Sequence, residues 1–142
     1  MRAIRYRRFG PPEVLEVVDI DPPDPAAGEI KVRVAAASLN PLDWKIRDGH
    51  LRFVPVLARP PRGTGTDFAG EIVAIGGGPG PRHVGERVFG SLSPFGREGS
   101  CAEFVTVPAH HAVAMPPSLT FEQAATLPLA GGTAVQALVN EA

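Results

Sequence analysis

Apolar and polar residues alternate with a period of two along much of the first forty residues, a pattern typical of β-strands that are buried on one face. Residues 3–9 show it first, with apolar side chains between arginines, and residues 14–20 show it again after a Gly-Pro-Pro turn. A longer apolar run, residues 30–39, follows the proline-rich connection 21–28. The pattern predicts three strands joined by surface turns.

The rest of the chain predicts more short strands and a late change to helix. Strands are expected at residues 71–75, 86–92, 101–107 and 112–115, and a proline-rich loop at residues 53–63 has the length of loops that often cover a site. A short helical turn is expected through Ala125, capped by Ser118 or Thr120, and residues 127–139 carry apolar side chains at helical spacing. Many short strands with appended helices indicate an all-β barrel or sandwich.

One short helix is predicted between the strands, directly after residue 39. Pro41 suits a first helical turn, which leaves Asn40 at the N-cap, and Gly49 is placed to end the helix. Asn40 and Asp43 would then lie near one another where a buried strand ends. We expect the rim of a pocket there.

Composition limits the class of protein. The chain has 142 residues, 44% of them hydrophobic and 20% charged, which is enough for one compact domain with a core. Its net charge of −1 gives no reason to expect binding to nucleic acid or to an anionic membrane. No apolar run approaches the roughly 20 residues that span a bilayer. The basic start lacks the apolar segment of a signal peptide, so we expect a cytoplasmic protein.

Cysteine and histidine usage argues against a disulfide and against a metal site. Cys101 is the single cysteine, so an internal disulfide and a thiolate zinc cluster are excluded. The four histidines show no spacing suited to metal binding, and surface positions are expected for them.

Two motif-like segments are better explained as turns. Residues 76–81 follow a strand as a phosphate-binding loop would, but Pro81 takes the last glycine position of G-x-G-x-x-G and no helix is predicted next. Residues 99–101 lack the G-x-S-x-G pattern of a serine hydrolase.

Five segments, in order, resemble the N-terminal, GroES-like half of the medium-chain dehydrogenase/reductase superfamily. They are FGPPEVL at 9–15, NPLD at 40–43, GTDFAGEI at 65–72, VGERVFG at 84–90 and LPLAGGTA at 127–134. The resemblance is to the zinc-independent quinone oxidoreductase or enone reductase branch. Zinc alcohol dehydrogenases of this architecture need Cys and His where this chain has Asn40 and Thr66, neither of which is a useful zinc ligand, so no metal is expected.

The resemblance implies a mainly β fold, a partly open GroES-like β-barrel with short helices and a C-terminal helix that leads toward an absent Rossmann domain. Residues 1–126 would form the catalytic domain, and residues 127–142 would begin the linking helix.

The resemblance also implies NADPH-dependent reduction of a quinone or an α,β-unsaturated carbonyl, which requires hydrogen-bond donors near the carbonyl oxygen and no metal. Asn40 is the first candidate donor, with a plain N-cap as the alternative. Lys45 could donate to a developing enolate or to the nicotinamide amide, with a solvated surface lysine as the alternative. Asp43 is expected to anchor the helix more than to act as an acid, and Trp44 to be a packed aromatic residue more than a substrate platform.

Thr66 and Thr133 resemble positions that line the nicotinamide pocket in this family, although both could merely satisfy backbone groups. Complete members of the family continue through a doubly wound nucleotide-binding domain. We therefore expect this chain to need such a domain, in cis or in trans, and to be inactive without it. The apolar face of residues 127–139 could otherwise support a homodimer.

A second hypothesis, by analogy with co-chaperonin barrels, is a non-catalytic GroES-like module for binding or oligomerisation.

Overall fold

Two antiparallel β-sheets form most of the computed structural model, which describes residues 1–54, 59–78, 80 and 82–140. The strands are β1 (Arg2–Tyr6), β2 (Leu15–Asp19), β3 (Glu29–Ser38), β4 (Arg62–Gly63), β5 (Asp67–Ile75), β6 (Arg87–Ser91), β7 (Phe104–Pro108) and β8 (Ala112–Ala114). The helices are α1 (Pro41–Arg47), α2 (Phe121–Ala125) and α3 (Pro128–Val135), and α3 continues as a π-helical segment, Gln136–Asn140.

The sheets differ in size and are joined near the start of the chain. The smaller has the strand order β2-β1-β4, and the larger the order β7-β3-β5-β6-β8. An isolated bridge between Ala3 and Ala102, with a hydrogen bond from the Ile4 amide to the Cys101 carbonyl at 2.8 Å, connects them. The predicted mainly β architecture with short appended helices is confirmed.

The core lies against the larger sheet, where apolar side chains two residues apart point to the same face. Ile30 and Val32 of β3 and Phe68 and Ile72 of β5 are fully buried there. Burying a side chain of this size stabilises the fold by about 1.5–3 kcal/mol. A second cluster seats α2 on the same sheet, and its buried members are Ala69, Met115, Ala124 and Ala125.

Several strand boundaries differ from the sequence predictions, among them the end of β1, which lies at Tyr6 and not at residue 9. β5 begins at Asp67, four residues earlier than predicted, because the backbone of residues 67–70 pairs with β3 on one side and β6 on the other. Within the predicted loop 53–63, Arg62–Gly63 pairs with β1 as β4, whereas residues 55–58 of that loop lie outside the described part of the chain. β7 starts at residue 104 and not 101.

Helices α1 and α2 begin where their capping residues predict. Asn40 occupies the N-cap position of α1, and Gly49 follows its end with a φ of +81°, a conformation that favours glycine. Thr120 caps α2, since its Oγ1 accepts the Gln123 amide at 3.2 Å. No helix in the described ranges is long and apolar enough to cross a membrane.

The predicted C-terminal helix is present but lies on the surface. No residue of α3 is buried, and Val135, Leu138 and Val139 are more than half exposed. Residues 141–142 lie outside the described ranges. The glycine-rich segment at 76–81, of which positions 79 and 81 are likewise outside, is followed by strand β6 and not by a helix, which agrees with a turn.

Gly70, in the middle of β5, provides a test of how closely β3 and β5 approach. A Cβ at this position would lie 2.1 Å from the Arg33 carbonyl oxygen and 2.8 Å from Val32 Cγ1. We expect Gly70→Ala to lower the free energy of unfolding by about 3 kcal/mol, because the backbone of β3 would have to move.

Gly77→Ala is the matched control, since a Cβ there meets nothing within 4 Å, and its effect should stay within about 0.5 kcal/mol. Chemical denaturation of both variants checks the prediction, and equal effects would contradict it.

Candidate functional site

The register of the larger sheet brings the start of α1 to the start of β5. Ser38, the last residue of β3, pairs with Asp67, the first residue of β5. α1 begins three residues after Ser38, so Asn40 at its N-cap lies beside Asp67. The sequence predicts that the polar start of this helix lies beside the end of a buried strand. Strand pairing places it there.

Three hydrogen bonds and the peptide bond between Thr66 and Asp67 join four residues into a ring, which we call the Asn40 ring: Asn40, Asp43, Thr66 and Asp67. The Asn40 backbone N–H donates to Asp43 Oδ2 at 2.7 Å, and Thr66 Oγ1 donates to Asp43 Oδ1 at 2.6 Å. The Asn40 side-chain Nδ2 donates to Asp67 Oδ2 at 3.1 Å. Since Thr66 and Asp67 are adjacent in the chain, these contacts fasten α1 to β5.

The carboxylates of the ring are removed from water. Asp67 is 0% exposed and Asp43 9% exposed. Burial raises the pKa of Asp43, and the hydrogen bonds from Thr66 and Asn40 oppose that rise. The charge of Asp67 nearby adds to the rise. Asp43 uses both oxygens as acceptors, as expected of the anchor predicted from the sequence.

Asp67 also reaches the C-terminal helix. Its Oδ2 accepts the Leu129 backbone N–H at 3.0 Å, in the first turn of α3. Its Oδ1 is buried without a hydrogen-bond partner among the described residues. The sequence analysis gave Asp67 no role of its own, although a carboxylate within the run Asp67–Ile75, which is otherwise rich in apolar residues, was a signal that could have singled it out.

Lys45 and its neighbour Trp44 lie on the outer side of α1. Lys45 is exposed, with its Nζ 5.7 Å from the centroid of the Trp44 ring. Trp44 is 42% exposed and contacts the His50 ring edge-on, so the expected packed aromatic is half open to solvent. Lys45 is not part of the Asn40 ring.

Thr133 lies on the exposed surface of α3. Its Oγ1 donates to the Leu129 carbonyl at 2.7 Å, so this hydroxyl satisfies a backbone group, one of the two roles considered. It lies one helical turn, about 6 Å, beyond the residue that binds Asp67. The structure thus groups Asn40, Asp43 and Thr66, and leaves Lys45 and Thr133 on exposed helix faces.

A cleft of about 240 Å³ opens beside the Asn40 ring. Its wall combines the apolar side chains of Leu15, Leu39, Pro41 and Trp44 with the polar or charged side chains of Asn40, Asp43, Arg47 and Thr64. Leu39 is 65% exposed, which is unusual for a residue in an apolar run. The cleft therefore offers a mostly apolar surface with the Asn40 amide at its edge.

A buried cluster that the sequence analysis missed lies behind Asp43. Arg62 is 4% exposed and donates to the carbonyls of Pro94, at 2.9 Å, and Gly96. Burial raises the pKa of the adjacent Tyr6, and the Arg62 guanidinium offsets part of that rise. With Asp43, these side chains line a cavity of about 20 Å³, room for one water molecule.

Metal-binding side chains are not gathered in the ranges that the structure describes. No group of three or more His, Cys, Asp and Glu residues there could hold a metal ion. All four histidines are exposed, as predicted. Burial raises the pKa of the Cys101 thiol, to which the charge of Asp43 contributes.

The Thr66 hydroxyl allows the strength of the ring to be measured. Thr66→Val keeps the shape of the side chain but removes the donor to a buried carboxylate, which should cost about 2 kcal/mol of folding stability. Thr133→Val makes the same change at an exposed hydroxyl and should stay within about 0.5 kcal/mol. Chemical denaturation of both variants measures their free energies of unfolding. Equal losses in the two variants would show that the Asn40 ring contributes little to folding stability.

The pKa of Asp43 predicts a pH dependence. Because the folded chain holds the Asp43 proton more tightly than the unfolded chain, the contribution of Asp43 to stability should fall as pH rises from its ordinary value of 3.8 through the raised one. The difference in unfolding free energy between the wild type and Asp43→Asn should fall over the same interval and then level off. A difference that grows with pH would show that the hydrogen bonds outweigh burial.

Comparison with known sequences identifies relatives along the whole chain. The family model for the alcohol dehydrogenase GroES-like domain matches residues 26–117. The Quinone-oxidoreductase homolog, chloroplastic, of Spinacia oleracea is 39% identical over 142 residues, covering 99% of this chain and 42% of the relative. The quinone oxidoreductase of Homo sapiens is 35% identical over 143 residues, covering 100% of this chain and 42% of the relative.

Solved structures agree with these relatives. The quinone oxidoreductase from Coxiella burnetii superposes with a TM-score of 0.91 at 38% identity, over 100% of this chain and 45% of that one. The Escherichia coli quinone oxidoreductase complexed with NADPH superposes with a TM-score of 0.88 at 33% identity, over 99% of this chain and 41% of that one. The chain thus spans less than half the length of these relatives. The family model alone covers more than half of the chain, and the chain belongs to the alcohol dehydrogenase GroES-like domain family, as the N-terminal domain of a quinone oxidoreductase-like medium-chain dehydrogenase/reductase.

Proposed function

We propose that this chain is the catalytic-domain part of a zinc-independent, NADPH-dependent oxidoreductase that reduces a quinone or an α,β-unsaturated carbonyl by hydride transfer. The observation that carries the proposal is the Asn40 carboxamide, which the Asn40 ring holds at the edge of an apolar cleft. The similarity to quinone oxidoreductases supports the reaction class.

The proposed hydride transfer requires a hydrogen-bond donor near the carbonyl oxygen more than it requires a residue that gives up a proton. Hydride addition to a conjugated carbonyl leaves negative charge on the carbonyl oxygen, and a positioned N–H stabilises that charge. Asn40 Nδ2 carries two hydrogens, of which one is used by Asp67, so the second can donate to substrate. Asp43 holds α1 in place through both of its oxygens, which leaves it a supporting role.

The described residues offer NADPH only part of a binding site. When bound, the cofactor supplies the hydride. Thr133 and Lys45 are exposed and available to a nicotinamide, whereas the Thr66 hydroxyl is buried and already donates to Asp43. A pyrophosphate is usually held by a glycine-rich loop at a helix N-terminus, and the glycine-rich segment at 76–81 leads into β6. We therefore propose that a nucleotide-binding domain, in cis or in trans, completes the site, and that the chain is inactive without it.

The remaining features of the proposal follow from donor chemistry and charge. An amide and a hydroxyl at Asn40 and Thr66 are poor zinc ligands, which supports a metal-free reaction. The near-zero net charge supports a small-molecule substrate over nucleic acid or membrane, and a homodimer through the exposed face of α3 stays a prediction. The cytoplasmic location also stays a prediction, since plant relatives are named as chloroplast proteins.

The test supplies the chain with a nucleotide-binding domain from a quinone oxidoreductase, fused or added separately, and follows the loss of NADPH absorbance with a quinone or an enone. Turnover that requires both halves supports the proposal. An absence of turnover with every quinone and enone, in a preparation shown to bind NADPH, would reject it. Turnover by the chain alone would reject the need for a second domain.

Asn40→Ala tests the donor in the same assay. We expect kcat to fall about 100-fold, as when a donor to a developing oxyanion is removed. Gln136→Ala, which deletes an exposed amide on the helical tail, is the control and should leave kcat unchanged. If the two variants behave alike, Asn40 is only an N-cap.

Lys45→Met, which keeps an unbranched side chain and removes its hydrogen-bond donor, separates the two roles considered for Lys45. A donor to the enolate would be seen as a loss of kcat, and a donor to the nicotinamide amide as a higher KM for NADPH. A surface lysine would change neither constant, so unchanged constants would remove Lys45 from the proposed site.

A further inference from the structure

Asp67 connects two parts of the fold through a single oxygen atom. Its Oδ2 accepts Asn40 Nδ2 at 3.1 Å and the Leu129 backbone N–H at 3.0 Å. Asp67 is 0% exposed, so both bonds end on an acceptor that is removed from water. Asn40, the donor proposed for catalysis, and the first turn of α3 therefore share one buried acceptor.

We propose that Asp67 is a positioning residue, which fixes the orientation of the Asn40 carboxamide and ties it to the start of α3, so that the two move together. The proposal rests on the proposed function only for its effect on catalysis. The hydrogen bonds themselves can be tested without turnover.

The orientation argument follows from donor and acceptor chemistry. A carboxamide has an N–H side and an oxygen side of nearly equal shape, and only its surroundings decide which way it faces. An Asp67 oxygen accepts hydrogen bonds and repels another oxygen, so it selects the state in which Asn40 Nδ2 faces it. Without Asp67, the amide is free to turn its oxygen toward the same place. The donor that the proposed reaction needs would then be lost for part of the time.

The link to α3 follows from the small number of other contacts. No residue of α3 is buried, so packing alone holds the helix weakly. The Leu129 N–H lies in the first turn, where amide groups have no partner within the helix. Asp67 supplies that partner from the start of β5, and a displacement of α3 would therefore alter the position of Asn40 through the shared oxygen.

Two substitutions at Asp67 show whether its side chain acts as a hydrogen-bond acceptor or only fills space in the fold. Asp67→Asn can place its amide oxygen where Oδ2 lies and keep both hydrogen bonds, with its NH₂ at the Oδ1 position, which has no partner among the described residues. Asp67→Ser is too short to reach both donors. We expect Asp67→Asn to keep kcat within about threefold and Asp67→Ser to lower it about as far as Asn40→Ala does, with melting temperatures recorded for both.

A double-mutant cycle provides the decisive kinetic result. If Asp67 acts through Asn40, adding Asp67→Ser to Asn40→Ala should lower kcat by no more than about twofold further. If Asp67 only stabilises the fold, the two losses multiply, and the proposal is overturned.

Nuclear magnetic resonance of the 142-residue chain gives a result that does not depend on activity. In the wild type, the Asn40 Nδ2 proton that is bonded to Asp67 should exchange slowly with solvent. Asp67→Ser should speed both this exchange and that of the Leu129 amide at least tenfold. Asn40→Ala should shift the Leu129 amide resonance, because the two donors share Oδ2. Unchanged Leu129 signals in both variants would refute the link, even if the chain proves active as proposed.

Discussion

The need to satisfy two buried carboxylates determines how this chain is arranged around its site. Asp43 and Asp67 lie out of water, and leaving a charged acceptor of this kind unpaired would cost several kcal/mol. Their donors come from the α1 N-cap, from the residue before β5 and from the first turn of α3. Three elements that share little apolar contact are thus held to one another by polar bonds, and the amide that we propose for catalysis lies where they meet.

Strand pairing sets the position at which those bonds can form. Ser38 pairs with Asp67, and successive side chains of a strand point to opposite sides. Thr66, in the bend that precedes β5, reaches Asp43, while Asp67, the first residue of β5, reaches Asn40 and α3. A slip of one residue between β3 and β5 would turn Asp67 to the other face of the sheet and break its bonds to Asn40 and α3. The close approach of the two backbones at Gly70 opposes such a slip, so a feature of the sheet interior protects the geometry of a surface cleft.

Local patterns in the sequence were sufficient to predict most of the fold. They were insufficient to predict the contacts between the residues of the site. Period-two alternation located the strands, and Pro41 after Asn40 located the start of α1, because both depend on neighbours in the chain. The bond from Asn40 to Asp67 spans 27 residues and depends on sheet register, which no local pattern encodes. Arg62 was hidden for a similar reason: it lies in a proline-rich loop by sequence, yet β1 pairing draws it into a buried position.

The exposed C-terminal helix has a consequence for how this chain unfolds. Its buried attachments are concentrated at one end, at Leu129, and an eight-residue helix is too short to persist on its own propensity. Its far end should therefore lose order locally, at a free energy well below that of the whole domain. The cooperative transition then belongs to the two sheets and α2, and the helical tail forms a separate, less stable unit whose order depends on what covers it.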